Sequence, residues 1–173
     1  MPDQKKFKLS DAATRLVLEK AVRHAFEGNF KCPVTAIEDI KQDDLAASAS
    51  ESLMSPYVHI HGDFVGTICL QMPKALVREI ALNSLGFEAF KEEMFAGDEI
   101  LTDASGEVVN MIAGTFKNML SRVKMACSLM PPQLFDDEST LVRYLFAAHG
   151  RWFLNLNHGE HRSQVILFTR RVR

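Results

Sequence analysis

DASGEVVNMIAG, residues Asp103 to Gly114, is the stretch on which the reading of this chain turns. At about 100° per residue, Val108, Ile112, Phe116, Met119 and Val123 fall on one side, the apolar stripe of an amphipathic helix. Asp103, Glu107, Asn110, Gly114 and Ser121 fall on the other, which the pattern turns toward water. Glu107 and Asn110 are three apart and therefore surface neighbours. The acidic run Asp98, Glu99 and Asp103 sits near the expected N-terminus, where the helix dipole favours negative charge, and Asp98 is the expected cap. The helix is expected to end near Arg122.

Gly114 is out of place on such a face. A glycine inside an exposed helix costs about 1 kcal/mol relative to alanine. Facing the core it would be explained by close packing within the protein. Facing water, it lets another surface approach. An isolated Glu-x-x-Asn usually decorates a solvated helix, so the spacing alone carries little.

Working outward, Ser10 is the expected cap of a helix running to about Phe26 and stopped by Gly28. Residues 33–41 alternate loosely and read as a strand. Gln42 to Ser55, rich in Ala, Ser and Asp, reads as a loop within the domain. Two strands follow around Gly62-Asp63, a pair suited to hairpin turns. Pro73 is expected to open a second helix and Gly86 to close it. The last third reads as sheet, with an apolar run at 124–130 ended by Pro131-Pro132. Further strands are expected near 140–148, 151–157 and 163–171, with turns at His149-Gly150 and His158-Gly159. Trp152, Leu154 and Leu156 alternate with Arg151, Phe153 and Asn155. The fold class is therefore α/β in the broad sense (α+β): a mostly antiparallel sheet backed by two long helices and an N-terminal helix, in a single domain over residues 1–173.

Composition narrows the function classes. The chain is long enough to bury a sizeable core, and 47% hydrophobic with 24% charged residues is the balance of a soluble globular protein. A formal net charge of −2 gives no support for a nucleic-acid or membrane-surface role. The first residues lack the apolar core of a signal peptide, and no run is long enough to span a bilayer, so no membrane insertion and a cytoplasmic location are expected. Cys32, Cys69 and Cys127 are odd in number and widely spaced among apolar residues. They read as reduced, buried thiols. His59 and His61 share a strand face, and His158 and His161 flank a turn. A metal or ligand site built from them is the weak reading, since no further ligand stands at a recognised spacing. Ser105-Gly106 lacks the strand-turn-helix setting of a nucleophile elbow. The basic end, Arg170, Arg171 and Arg173, reads as a solvated strand end.

The string D-A-S-G-E-V-V-N-M-I-A-G closely resembles the signature helix of the CheC/CheX/FliY family of chemotaxis phosphatases. Gly62-Asp63-Phe64-Val65-Gly66-Thr67 resembles that family's hairpin, and Met72-Pro73-Lys74-Ala75-Leu76 through Leu85-Gly86 its next strand-to-helix passage. The resemblance covers residues 57–131 well and the flanks only in element order. Within the family the chain is most similar to CheX, with one Glu-x-x-Asn helix where the CheC type has two. Glu79 and Asn83, the other candidate pair, have the wrong spacing.

The resemblance implies a chemistry that the residues alone do not supply. An asparagine amide can hydrogen-bond and aim a water, but it is not a useful base. No nucleophile, metal cage or phosphate-binding loop is legible here. A glutamate and an asparagine suffice only where the substrate brings the rest, as the phosphoaspartate of a CheY-like response regulator does beside its own magnesium and lysine. Phosphoryl transfer depends mainly on positioning and charge stabilisation. The resemblance therefore implies that Asn110 orients the attacking water and Glu107 pairs with the regulator's lysine. Gly114 permits close approach and Asp103 borders the contact. No cofactor of the chain's own is expected, the magnesium being supplied by the regulator. A homodimer is also implied. The alternative is a non-catalytic adaptor that binds a response regulator or flagellar-switch component through the same helix.

Overall fold

The computed structural model describes residues 9–39, 53–84, 98–135 and 137–169. Among them the chain forms four α-helices and eight strands, and every strand pairing is antiparallel. Helix α1 (Asp11–Arg23) begins where the Ser10 hydroxyl accepts from the Ala13 N–H at 3.2 Å, the expected serine cap. Its C-terminal end differs from expectation. A π-helical turn, His24–Asn29, extends it, and Gly28 lies inside that turn. Phe26 and Phe30 are both buried and meet edge-on at 6.2 Å between ring centroids. Burying this pair carries the chain past the glycine, and Lys31, with φ 50°, turns it away.

The sheet is built from β1 (Ala36–Asp39), β2 (Leu53–Met54), β3 (Pro56–Gly62), β4 (Gly66–Pro73), β5 (Cys127–Leu129), β6 (Gln133–Leu134), β7 (Gly150–His158) and β8 (His161–Thr169). Strand order is β1-β7-β8-β4-β3-β5, with β2 beside β4 and β6 beside β3. Within the stretch expected as a loop, Gln42 to Ser55, Leu53 and Met54 form strand β2 and Ser55 lies between β2 and β3, while 42–52 lie outside the described residues. Pro73 is the last residue of β4, paired with Leu53, and α2 (Lys74–Ser84) starts one residue later. Gly86 and the basic end also fall outside the described residues.

Gly62 is required where it stands. Its φ is +125°, and a Cβ there would collide with the Ala126 carbonyl. Asp63 then clamps the same segment: its N–H donates to the Ala126 carbonyl at 2.9 Å, and its carboxylate accepts from the Ala126 N–H at 2.8 Å. The hairpin turn therefore fixes the chain that leaves α3 (Asp98–Arg122).

Helices α1, α2 and α3 cover one face of the sheet. Val58, Ile60, Ile68, Leu70, Leu154, Leu156, Val165 and Leu167 from the strands meet Leu18, Leu76, Ile80, Ile112 and Phe116 from the helices in one core. Leu154 and Leu156 sit in this core and half-buried Trp152 packs against it, as their alternation requires.

The other face has its own cover, and here the strand expected near 140–148 is a helix. Helix α4 (Glu138–Phe146) places Leu141 and Leu145 over Cys69, Ile166 and Phe168, with Phe135 beside them. The Leu-Val-Arg-Tyr-Leu-Phe run is rich enough in branched and aromatic residues to suit a strand. Its upstream cap decides otherwise, because the Asp137 carboxylate accepts from the Thr140 N–H at 2.8 Å. Apolar residues four apart then meet a sheet face that needs covering.

The histidines separate into two places. His59 Nδ1 lies 2.7 Å from Thr67 Oγ1, and its ring contacts His61. His158 and His161 close the β7–β8 hairpin at its far end, since the register carries His59 through Thr67 and Phe168 to Arg151. Among the described residues no three His, Cys, Asp or Glu side chains are grouped to hold a metal ion. His158 is buried, with Nε2 2.8 Å from Ser163 Oγ, Nδ1 3.6 Å from Cys32 Sγ, and its ring against Phe26. All three cysteines are free. Cys69 is buried as expected, whereas Cys32 and Cys127 are only half-buried.

Burial and neighbouring His161 lower the His158 pKa from its ordinary value of 6.5 to about 4. The folded state thus holds a neutral imidazole where the unfolded chain takes up a proton below about pH 6.5. Stability that is complete above that pH is lost as the pH falls toward 4, then levels off. In denaturant titrations the midpoint should drop over this interval, and His158→Gln should flatten that dependence. An equally steep decline in the variant would show that other groups cause it.

Candidate functional site

The long helix α3 is held at both ends. At its start, Lys74 Nζ lies 2.7 Å and 2.8 Å from the two Asp98 carboxylate oxygens. Asp98, the expected cap, is instead the first helical residue, and its charge is spent on this pair between α2 and α3. At the other end, Lys124 takes the left-handed conformation with φ 63°. The Lys124 N–H then donates to the Ser121 carbonyl and the Met125 N–H to the Leu120 carbonyl, at 3.0 and 3.1 Å. That is the Schellman closure, with lysine where glycine is usual. Met125 and Leu120 are both buried, which supplies its hydrophobic contact.

Between these ends the helix has two unlike sides. Val108, Ile112 and Phe116 are fully buried, as the stripe requires, and Ala104, Ser105, Val109 and Ala113 widen the buried side. Met119 is half-buried, and Val123 lies exposed past the helix end. The Ser105 hydroxyl donates to the Thr102 carbonyl at 2.9 Å. It is a helix-bonded core serine.

On the opposite side Asp103, Glu107 and Ser121 are exposed, and Asn110 and Gly114 are half-exposed. Sequence and structure place these residues on the same stripe. Asp103, Glu107 and Asn110 have no hydrogen-bond or ion-pair partner among the described residues. A Cβ added at Gly114 meets nothing within 4 Å, so the missing side chain leaves open space above the helix. Packing within the described chain does not account for that glycine.

One part of the site was not visible in the sequence. Gly106 is buried, and a Cβ there would sit 3.5 Å from Pro132. Pro132 and the short strand β6 thus lie directly against the flank of α3. They enclose a cleft of about 180 Å³ between Asp103, Gly106 and Glu107 on the helix and Pro132, Gln133 and Leu134 across from it. The Pro131-Pro132 pair reads in sequence only as a strand ending. No sequence signal marks the contact, since a Cβ at Gly106 would meet Pro132 only at ordinary van der Waals distance.

The site can present an amide and two carboxylates on a rigid rod beside a cleft. It offers an approaching surface hydrogen bonds and negative charge.

Comparison with known proteins supplies the fold's relatives and the family. The sequence profile of the family described as "Chemotaxis phosphatase CheX" matches residues 54–154, more than half of the chain. No curated protein sequence matches it. Among solved structures, CheX of Borrelia burgdorferi, in a complex with CheY, BeF3 and magnesium, aligns over 90% of this chain and 97% of its own at 15% identity, with a TM-score of 0.67. CheX of Desulfovibrio desulfuricans aligns over 89% and 97% at 15% identity, with a TM-score of 0.63. FliY of Thermotoga maritima aligns over 94% and 92% at 16% identity, with a TM-score of 0.59. At these identities the structures show a shared fold, and the profile match supplies the family. The chain belongs to the CheX family of chemotaxis phosphatases.

Proposed function

We propose that the chain accelerates hydrolysis of the phosphoaspartate of a CheY-type response regulator. The observation that carries this reading is the Glu107–Asn110 pair, without a partner among the described residues and three residues apart on the water-facing side of α3, in a member of the CheX family. The Borrelia relative in complex with CheY, BeF3 and magnesium supports the choice of partner.

In this reading Asn110 enters the regulator's active site, and its amide holds a water in line with the acyl phosphate. Water attacks phosphorus, the bond to the aspartyl oxygen breaks, and the products are a free carboxylate, inorganic phosphate and a proton. Magnesium belongs to the regulator, and the chain brings no cofactor of its own. Glu107 pairs with the regulator's lysine and sets the register of docking. Asp103 borders the contact, and the open space over Gly114 admits the partner's surface.

A homodimer goes with this reading. Among the described residues the sheet order ends at β1 and β5, and Phe146 on α4 is 73% exposed. A cytoplasmic setting goes with it too, and three free cysteines suit a reducing compartment. Among the described residues no helix is long and apolar enough to cross a membrane.

Phosphate release from several phosphorylated regulators tests the proposal. At least one regulator should lose its phosphoryl group faster in the presence of the protein, and Asn110→Ala should slow that stimulated rate by about 10²-fold, the scale of a lost positioning group. Binding with an unchanged phosphoryl lifetime would make the protein an adaptor. Glu107→Ala should weaken docking by about tenfold, as expected for a lost charged hydrogen bond. Unaltered affinity would remove Glu107 from that role. Gly114→Ala should stabilise the free protein by about 1 kcal/mol in denaturant titrations, whereas Gly114→Leu should impair docking while leaving the fold intact. Docking that tolerates leucine would mean that no surface comes close there.

A further inference from the structure

The cleft beside Glu107 has a chemical character that the proposed mechanism does not use. Its lining is mainly apolar, with Gly106, Pro132 and Leu134 beside Thr102 and Gln133, and it includes the carboxylates of Asp103 and Glu107. Both carboxylates are exposed, and neither has a partner among the described residues. Like charges four apart on a helix destabilise it by a few tenths of a kcal/mol. A mainly apolar lining beside two exposed carboxylates matches a long cationic side chain, whose methylenes lie against the lining while its head meets the negative charge.

We infer that this cleft is a selectivity pocket for the response regulator: it receives an arginine or lysine of the docked partner, distinct from the lysine that meets Glu107, and Asp103 holds its charge. The inference rests on the proposed regulator partnership and adds to it a determinant of which regulator is accepted. Pro132 supplies the wall, close beside Gly106 on the helix. The pocket lies on the N-terminal side of Glu107, whereas Asn110 lies on its C-terminal side. Recognition and water positioning are thereby separated along one helix.

Affinity for a regulator trapped with beryllofluoride tests this without any turnover. Asp103→Asn keeps the shape and removes the charge, and should weaken that affinity about fivefold, the upper range for an exposed ion pair. The loss should shrink as ionic strength rises. Arginine and lysine substitutions across the regulator's docking face should include one whose effect is non-additive with Asp103→Asn, which a purely structural role of Asp103 would not produce. Unchanged affinity in Asp103→Asn, or strict additivity with every basic position, overturns the pocket. Failure of the phosphatase reading registers elsewhere, as an unaltered phosphate release rate in Asn110→Ala.

Discussion

The burial of one side of α3 against the sheet is the constraint from which the rest of the structure follows. Nine of the helix's larger or tightly packed positions lie in the interior, from Leu101 and Ala104 through Phe116 to Leu120, together with Gly106. A 25-residue helix so deeply embedded cannot rotate about its axis without exposing Val108 or Ile112 and burying Glu107. Burial of the one side therefore dictates the other. The Lys74–Asp98 pair, the Gly62-Asp63 clamp and the Schellman closure at Lys124 all serve to locate the two ends of this rod.

Much of this was legible in sequence because it rests on periodicity. The spacing of Val108, Ile112 and Phe116 fixed which side of α3 is buried, and the hairpin residues 62–67 and the alternation at Trp152, Leu154 and Leu156 were equally direct. The errors arose where a local signal competed with a tertiary one. Gly28 has the composition of a helix stop, but the burial of Phe26 and Phe30 carried the chain on into a π-helical turn. Residues 141–146 have the composition of a strand, and the cap at Asp137 together with an uncovered sheet face made them a helix.

The site divides along the same line. Asp103, Glu107, Asn110 and Gly114 are successive members of one helical stripe, so one chain segment sufficed to find them. The cleft wall comes from Pro132 and β6, which reach α3 only through pairing with β3. No spacing within 103–114 encodes that approach.

The contact between Gly106 and Pro132 has a consequence for how such a protein diversifies. The helix that carries Glu107 and Asn110 is committed to the core and tolerates few changes. The opposite wall is a segment exposed at Pro131, Pro132 and Gln133 and joined to the sheet through the pairing of Gln133 and Leu134 with β3. Substitution along this segment reshapes one flank of the cleft while leaving the amide and the carboxylates in place. The shape of the cleft and the position of the polar stripe are therefore set by two different segments of the chain.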